Sequence, residues 1–117
     1  MTMTLTERRI GDVTLLRVGG RVVFGDGAPE LRARINDLLD EARLKFLLDL
    51  RDVIYIDSFG VGVIAAKYVS VRRKGGDMKL LCLSPRANHV MRISGLLKIF
   101  ESFDSEEEGL RSFASRA

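Results

Sequence analysis

The polar groups best suited to chemistry in this sequence lie between Tyr55 and Gly62. Asp57 and Ser58 follow an apolar run and precede a segment with helical spacing, which predicts a strand end joined to a helix start. The Asp57 carboxylate would accept hydrogen bonds from the first free amides of that helix, leaving the Ser58 hydroxyl toward solvent. A kinase could reach such a hydroxyl, and the helix dipole favours the negative charge of a phosphate. The segment therefore predicts a modifiable serine at a helix N-terminus.

Two glycines, Gly60 and Gly62, fall early in the same predicted helix. Each costs a helix about 1 kcal/mol relative to alanine, so their presence asks for a reason. They either let the helix pack close to a strand or leave a bare surface that another protein can approach. The sequence alone leaves both explanations open.

Two enzymatic readings of this segment are disfavoured. A hydrolase nucleophile elbow needs a glycine where Ile56 stands, and His89 is the only histidine that could act as a base. The run Gly60-Val61-Gly62-Val63-Ile64-Ala65 matches a dinucleotide fingerprint in its Gly/Ala form. However, the acidic residue expected about 20 positions later is replaced by Leu83-Ser84-Pro85, and the chain is too short for both halves of that fold. We predict that the protein is not an enzyme.

Charge and composition disfavour further classes of function. The 117 residues carry 19 basic and 16 acidic side chains, which are interspersed and leave a formal net charge of +3. The densest basic cluster, Arg72-Arg73-Lys74, falls where a helix should end, which favours a solvated helix terminus over a nucleic-acid site. Cys82 is the only cysteine, so no intramolecular disulfide can form and no metal site is indicated.

The opening residues do not resemble a secretory signal, and no apolar run approaches the roughly 18 residues that a membrane span requires. We therefore expect a cytoplasmic protein without membrane insertion. Nothing in the sequence calls for a cofactor.

The first half of the chain predicts a hairpin followed by a helix and a strand. Two β-rich runs, 5–10 and 13–18, flank Gly11-Asp12, a pair typical of tight hairpin turns. After the apolar trio 22–24 and a glycine-rich loop, the period changes to that of a helix whose first turn holds Pro29. Its apolar face would comprise Leu31, Ile35, Leu38, Leu39 and Ala42.

The second half continues this alternation. A run at 46–50 is typical of a strand buried on both faces, and a second apolar run at 53–56 leads to Asp57. The further elements are expected to be a helix at 58–74, a strand at 78–83, a helix between Ser84-Pro85 and Gly95, a short strand at 97–100, and a last helix capped by Asp104 or Ser105. Residues 1–117 should thus form one α/β domain, with a mixed, mostly parallel sheet and about four helices.

Several of these segments together resemble a known family. The strand Leu48-Asp49-Leu50-Arg51-Asp52-Val53 leads into Asp57-Ser58-Phe59-Gly60-Val61-Gly62. The counterparts further along are Gly75-Gly76, Leu83-Ser84-Pro85, Ser94-Gly95-Leu96 and Ile99-Phe100. With these segments the chain is similar to STAS domains, the family of anti-sigma factor antagonists and of the cytoplasmic tails of sulfate transporters.

The resemblance implies a partner switch controlled by phosphorylation. Ser58 matches the serine that is phosphorylated by a cognate kinase, which is itself the anti-sigma factor. In the unphosphorylated form such a protein binds that kinase and frees a sigma factor, and a PP2C-type phosphatase resets the switch. Besides Ser58, the partner-binding residues implied are Asp57, Phe59, Gly60, Gly62 and Asp26.

The sequence departs from the family pattern at two positions. Phe59 stands where many members have a second small polar residue, and the acid that often ends the strand before the first helix is displaced to Asp26. An alternative within the same fold is a STAS domain that is not phosphorylated and serves as a scaffold or as a subunit of a lipid-transport complex.

Overall fold

The computed structural model describes residues 2–114, and this part of the chain forms five strands and four α-helices. In chain order the elements are β1 (Thr4–Ile10), β2 (Val13–Val22), α1 (Ala28–Asp40), β3 (Lys45–Ile56), α2 (Ser58–Arg73), β4 (Asp77–Leu81), α3 (Pro85–Ile93), a 3₁₀ turn (Leu96–Lys98), β5 (Ser102–Phe103) and α4 (Glu106–Ala114). The predicted α/β fold is confirmed.

The strands form one mixed sheet in the order β1-β2-β3-β4-β5. β1 pairs antiparallel with β2 through the predicted hairpin, in which Ile10 lies opposite Val13. All later pairings are parallel. Because parallel strands end at the same edge of a sheet, the loop after β2 and the turn after β3 are brought side by side. Asp57 occupies that turn.

Helices cover both faces of the sheet, and each face has its own apolar cluster. Alternate residues of β3 point in opposite directions, so Phe46 and Leu48 join the main core with α1, α2 and α3. Leu47 faces the other way and packs with Phe113 of α4 in a smaller cluster. All three side chains are fully buried, which explains why three apolar residues follow one another at 46–48.

Two strands are longer than the sequence predicts. β2 continues through Gly19-Gly20 to Val22, with irregular register against β3 on either side of the glycine pair. The runs 46–50 and 53–56 belong to a single strand, β3, because Arg51 and Asp52 continue its extended backbone with exposed side chains.

β4 is shorter than predicted and ends at Leu81. Cys82 has a φ of 50°, outside the range of a strand, and its amide donates to the Phe103 carbonyl of β5. Ala42 also adopts positive φ, at 63°; it lies outside α1 and is exposed, so its predicted place on the buried helix face is wrong.

The strand predicted at 97–100 is wrong. Gly95 adopts the left-handed conformation after α3, and the chain then forms the 3₁₀ turn, in which the amides of Ile99 and Phe100 both donate to the Leu96 carbonyl. Phe100 is buried and its ring lies 4.6 Å from that of Tyr68 in α2. The apolar residues therefore reach the core from a turn, and the strand that completes the sheet follows at β5.

Candidate functional site

Asp57 joins three parts of the chain at the C-terminal edge of the sheet. Its Oδ1 accepts hydrogen bonds from the amides of Phe59 and Gly60, both at 3.0 Å, which caps α2 as predicted. Its Oδ2 accepts a further bond of 3.0 Å from the amide of Phe24, in the loop after β2. Burial alone would raise the pKa of Asp57, but the bonds from the amides of Phe24, Gly60 and Phe59 outweigh it and lower that pKa. Asp57 is thus an anionic clamp between the loop and the helix.

Ser58 is the first residue of α2 and its side chain is exposed. Within residues 2–114, its hydroxyl forms no hydrogen bond. The hydroxyl is therefore free to react, and a phosphate attached to it would sit at the end of the helix whose dipole favours anions, by roughly 0.3–1 kcal/mol.

The two glycines have different environments. Gly60 is buried, and a Cβ added to it would collide with the carbonyl oxygen of Val22. This glycine therefore allows α2 to approach β2. Gly62 is exposed and a Cβ there would meet nothing, so it leaves a bare helix surface. Each of the two explanations left open by the sequence holds for one glycine.

Beside Ser58 lies an exposed aromatic pair, which we call the aromatic ledge (Phe24 and Phe59). The two ring centroids are 4.5 Å apart, yet 69% of Phe24 and 56% of Phe59 remain accessible to solvent. The amide of Phe24 bonded to Asp57 holds the loop in this position. Large exposed aromatic side chains next to one another are typical of a surface that a partner covers.

Ser58 itself lines an open groove of about 540 Å³ between α2 and α3, which we call the serine groove. On the α3 side it is lined by Arg86, Val90 and Ile93, and Ile93 is 70% exposed. On the α2 side it is lined by Ser58 and the bare surface at Gly62. The hydroxyl thus borders a largely apolar groove, and the next residue, Phe59, belongs to the aromatic ledge.

Asp26, the displaced acid, lies in the loop that carries Phe24, but its side chain is engaged in an ion pair. Its carboxylate pairs with the Arg21 guanidinium at 3.1 Å, and that guanidinium also lies 5.3 Å from the Tyr55 ring centroid. Asp26 does not line the serine groove, nor does it line a second, smaller depression, which lies between Phe24, Phe59 and the start of α1. The structure therefore brings Asp57, Ser58, the ledge and Gly62 together, and it places Asp26 in a separate ion pair.

Sequence reasoning missed three residues that shape this region: Phe24, Arg86 and Ile93. Phe24 carried a usable signal, since a large apolar residue directly before the predicted loop at Gly25 lies where little core is available to bury it. Arg86 carried a weaker one, because a cation in the first turn of a helix opposes the dipole. Ile93 had none, since an apolar residue near a helix end is ordinary.

The structure also bears on the disfavoured readings. His89 is exposed on α3 and does not line the serine groove. Among residues 2–114 there is no group of three or more histidine, cysteine or acidic side chains that could hold a metal ion. No helix in the same described part of the chain is long and apolar enough to span a membrane.

Comparison with known proteins places these features in a family. The family model described as the STAS domain matches residues 5–109. The anti-sigma-B factor antagonist of Bacillus subtilis is 33% identical over 84 residues, which cover 72% of this chain and 76% of that protein. The anti-sigma F factor antagonist of Paenibacillus polymyxa is 34% identical over 64 residues, and the match spans only 55% of each protein.

Solved structures agree on the fold. The anti-sigma factor antagonist SpoIIAA in its unphosphorylated form superposes with a TM-score of 0.82 at 20% identity, covering 97% of this chain and 99% of that one. The Bacillus protein in its phosphorylated form gives a TM-score of 0.74, also at 20% identity, covering 94% of this chain and 99% of that one. At this level of identity the likeness shows a shared fold.

Proposed function

The chain belongs to the STAS domain family, and from that premise we propose that it is an anti-sigma factor antagonist switched by phosphorylation of Ser58. Unphosphorylated, it binds an anti-sigma factor that is also a serine kinase, and a sigma factor is released. Phosphorylation ends that binding, and a PP2C-type phosphatase restores it. The observation that carries the proposal is the exposed Ser58 hydroxyl, which forms no hydrogen bond within residues 2–114 and lies beside an exposed apolar surface.

The modification itself is compatible with the fold. The Ser58 oxygen attacks the γ-phosphorus of ATP, ADP leaves, and the hydroxyl proton passes to a base on the kinase. Because the Ser58 hydroxyl has no hydrogen-bond partner within the described residues, no native contact is lost. Hydrolysis by the phosphatase returns the hydroxyl and releases inorganic phosphate. The change is therefore confined to the surface.

The surroundings of Ser58 explain why a phosphate would act as an off signal. A partner that covers the aromatic ledge and the serine groove removes water from both. A phosphate of roughly −1.5 to −2 charge at that place would lose hydration when the partner docks, and it would gain no matched group on the docking protein, which opposes binding. The unmodified hydroxyl is small and neutral, and its desolvation costs far less.

The proposal is tested by the affinity for a candidate anti-sigma kinase from the same organism, measured by isothermal titration calorimetry. Ser58→Ala should bind like the wild type, and Ser58→Asp should bind at least about tenfold more weakly, a loss of roughly 1.4 kcal/mol. Ser70→Asp adds the same charge further along α2, where it also removes the bond of 3.1 Å from the Ser70 hydroxyl to the Ala66 carbonyl, and it is the charge control. Equal affinity of Ser58→Asp and Ser70→Asp would contradict the proposal.

The same variants need a stability measurement. Ser58→Asp should leave the thermal unfolding midpoint nearly unchanged, because the side chain is exposed and caps nothing. A large drop in that midpoint would instead show that Ser58 is a structural residue.

A further inference from the structure

We propose that Arg86 binds the phosphate of phosphorylated Ser58 across the serine groove and so holds the modified surface in one arrangement. This inference rests on the proposed function, since it assigns a partner to the phosphate that the switch would carry. Arg86 would then be a positioning residue of the phosphorylated, non-binding form. The unphosphorylated form would not need it.

The first support is that Arg86 has no ion-pair or hydrogen-bond partner in the part of the chain that the structure describes. It is exposed at the start of α3 and lines the same groove as Ser58. Within the described range 2–114, no carboxylate forms an ion pair with Arg86, and no hydrogen bond of its side chain occurs. Several other arginines of this chain pair with acids, as Arg8 does with Glu106 and Arg34 with Glu7.

The second support is that its position does not serve the helix. Arg86 lies in the first turn of α3, where the helix dipole disfavours a cation. The cap of α3 is already supplied by the Ser84 hydroxyl, which accepts from the Ala87 amide at 3.1 Å. By contrast, Arg92 stands in the last turn of the same helix, where a cation is favoured.

The third support is the charge balance of the groove. Among the residues the structure describes, the charged side chains lining the groove are Asp57 and Arg86. The Asp57 carboxylate stays ionised because backbone amides lower its pKa, so it repels a phosphate on the next residue. Arg86 supplies the opposing charge from the other wall. A guanidinium also matches phosphate geometry with two parallel hydrogen bonds.

The inference predicts a measurable property of the phosphate. Its second ionisation, ordinarily near pH 6, should shift to lower pH, because Arg86 favours the dianion. Phosphoserine can be installed at position 58 during translation, so that no kinase is needed. Phosphorus NMR titration at low salt then reports the pKa of the phosphate in the wild type and in variants.

Arg86→Gln should raise that phosphate pKa by about half a unit or more relative to the wild type, and Arg86→Lys should raise it less. Arg92→Gln removes the same charge from the same helix outside the groove and should leave the pKa nearly unchanged. Identical titrations of the wild type, Arg86→Gln and Arg92→Gln would overturn the inference. Identical titrations would not affect the kinase-binding test of the proposed function. Conversely, if the kinase-binding test failed, the titration would still show whether Arg86 binds the phosphate.

Discussion

The removal of the Asp57 carboxylate should destabilise the protein by about 2 kcal/mol. Replacing an aspartate cap by alanine costs about 1 kcal/mol for the amides of Phe59 and Gly60. The third bond, from the Phe24 amide, adds about 1 kcal/mol because the acceptor is charged and the bond is partly exposed. In a domain of this length, about 2 kcal/mol lowers the unfolding midpoint by roughly 8 °C.

Asp57→Asn separates the two contributions. Asparagine caps a helix about as well as aspartate, so this variant should keep the cap and lose only about 1 kcal/mol. Urea unfolding followed by far-UV circular dichroism measures both variants. Asp104→Ala removes an exposed aspartate whose side chain makes no hydrogen bond within residues 2–114, and it is the control.

The pH dependence gives a second check with a definite sign. The pKa of Asp57 is lower in the folded protein than its ordinary value, so its stabilising effect is complete above about pH 4. That effect is lost as the pH falls through the folded-state value. The stability difference between the wild type and Asp57→Asn should therefore narrow below about pH 4. If Asp57→Ala lowered the free energy of unfolding by less than about 0.5 kcal/mol, Asp57 would not be the proposed clamp. A stability difference between the wild type and Asp57→Asn that stays constant with pH would refute the clamp as well.

Three further predictions concern packing, docking and a buried charge. Gly60→Ala should destabilise the protein by about 2 kcal/mol or more, because the added methyl group meets the β2 backbone. Gly62→Ala should be neutral or stabilising by up to about 1 kcal/mol, and urea unfolding measures both variants. Phe59→Ala should weaken kinase binding at least about tenfold in calorimetry, and Val69→Ala, exposed on the same helix, should not. Asp49→Asn should lower the free energy of unfolding, measured with urea, by about 2 kcal/mol. The reason is that this fully buried carboxylate pairs with two arginines that are themselves partly exposed.

Each of these predictions has a contrary outcome. Equal stability of Gly60→Ala and Gly62→Ala would show that α2 does not approach β2 as closely as described. Equal binding by Phe59→Ala and the wild type would exclude the aromatic ledge from the interface. A stability of Asp49→Asn within about 0.5 kcal/mol of the wild type would show that its ion pairs contribute little.

Elements whose signals are local could be predicted from the sequence. The start of α2 follows from Asp57 alone, because a cap bonds to amides two and three residues further on. The hairpin follows from Gly11-Asp12 between two β-rich runs. Asp57 and Ser58 of the candidate site lie at the N-terminus of α2, so the same local capping pattern predicts them.

Features that depend on tertiary contacts could not be predicted. A short segment such as 97–100, with three apolar residues and one lysine, fits a strand or a turn equally well, and the packing of Phe100 on Tyr68 decides between them. The bond between the Phe24 amide and Asp57 joins residues 33 positions apart, so no local pattern predicts that Phe24 lies beside Phe59. Gly60 and Gly62 are alike in sequence, and only the direction each faces on α2 gives them different roles.

The central claim is that the Ser58 oxygen accepts a phosphoryl group from a partner kinase. The direct measurement is incubation with the cognate anti-sigma kinase and ATP, followed by intact-protein mass spectrometry and peptide mapping of the wild type and Ser58→Ala. We expect a mass increase of one phosphoryl group in the wild type, mapped to Ser58, and none in Ser58→Ala. An unmodified wild type, or an increase that persists in Ser58→Ala, would contradict the account.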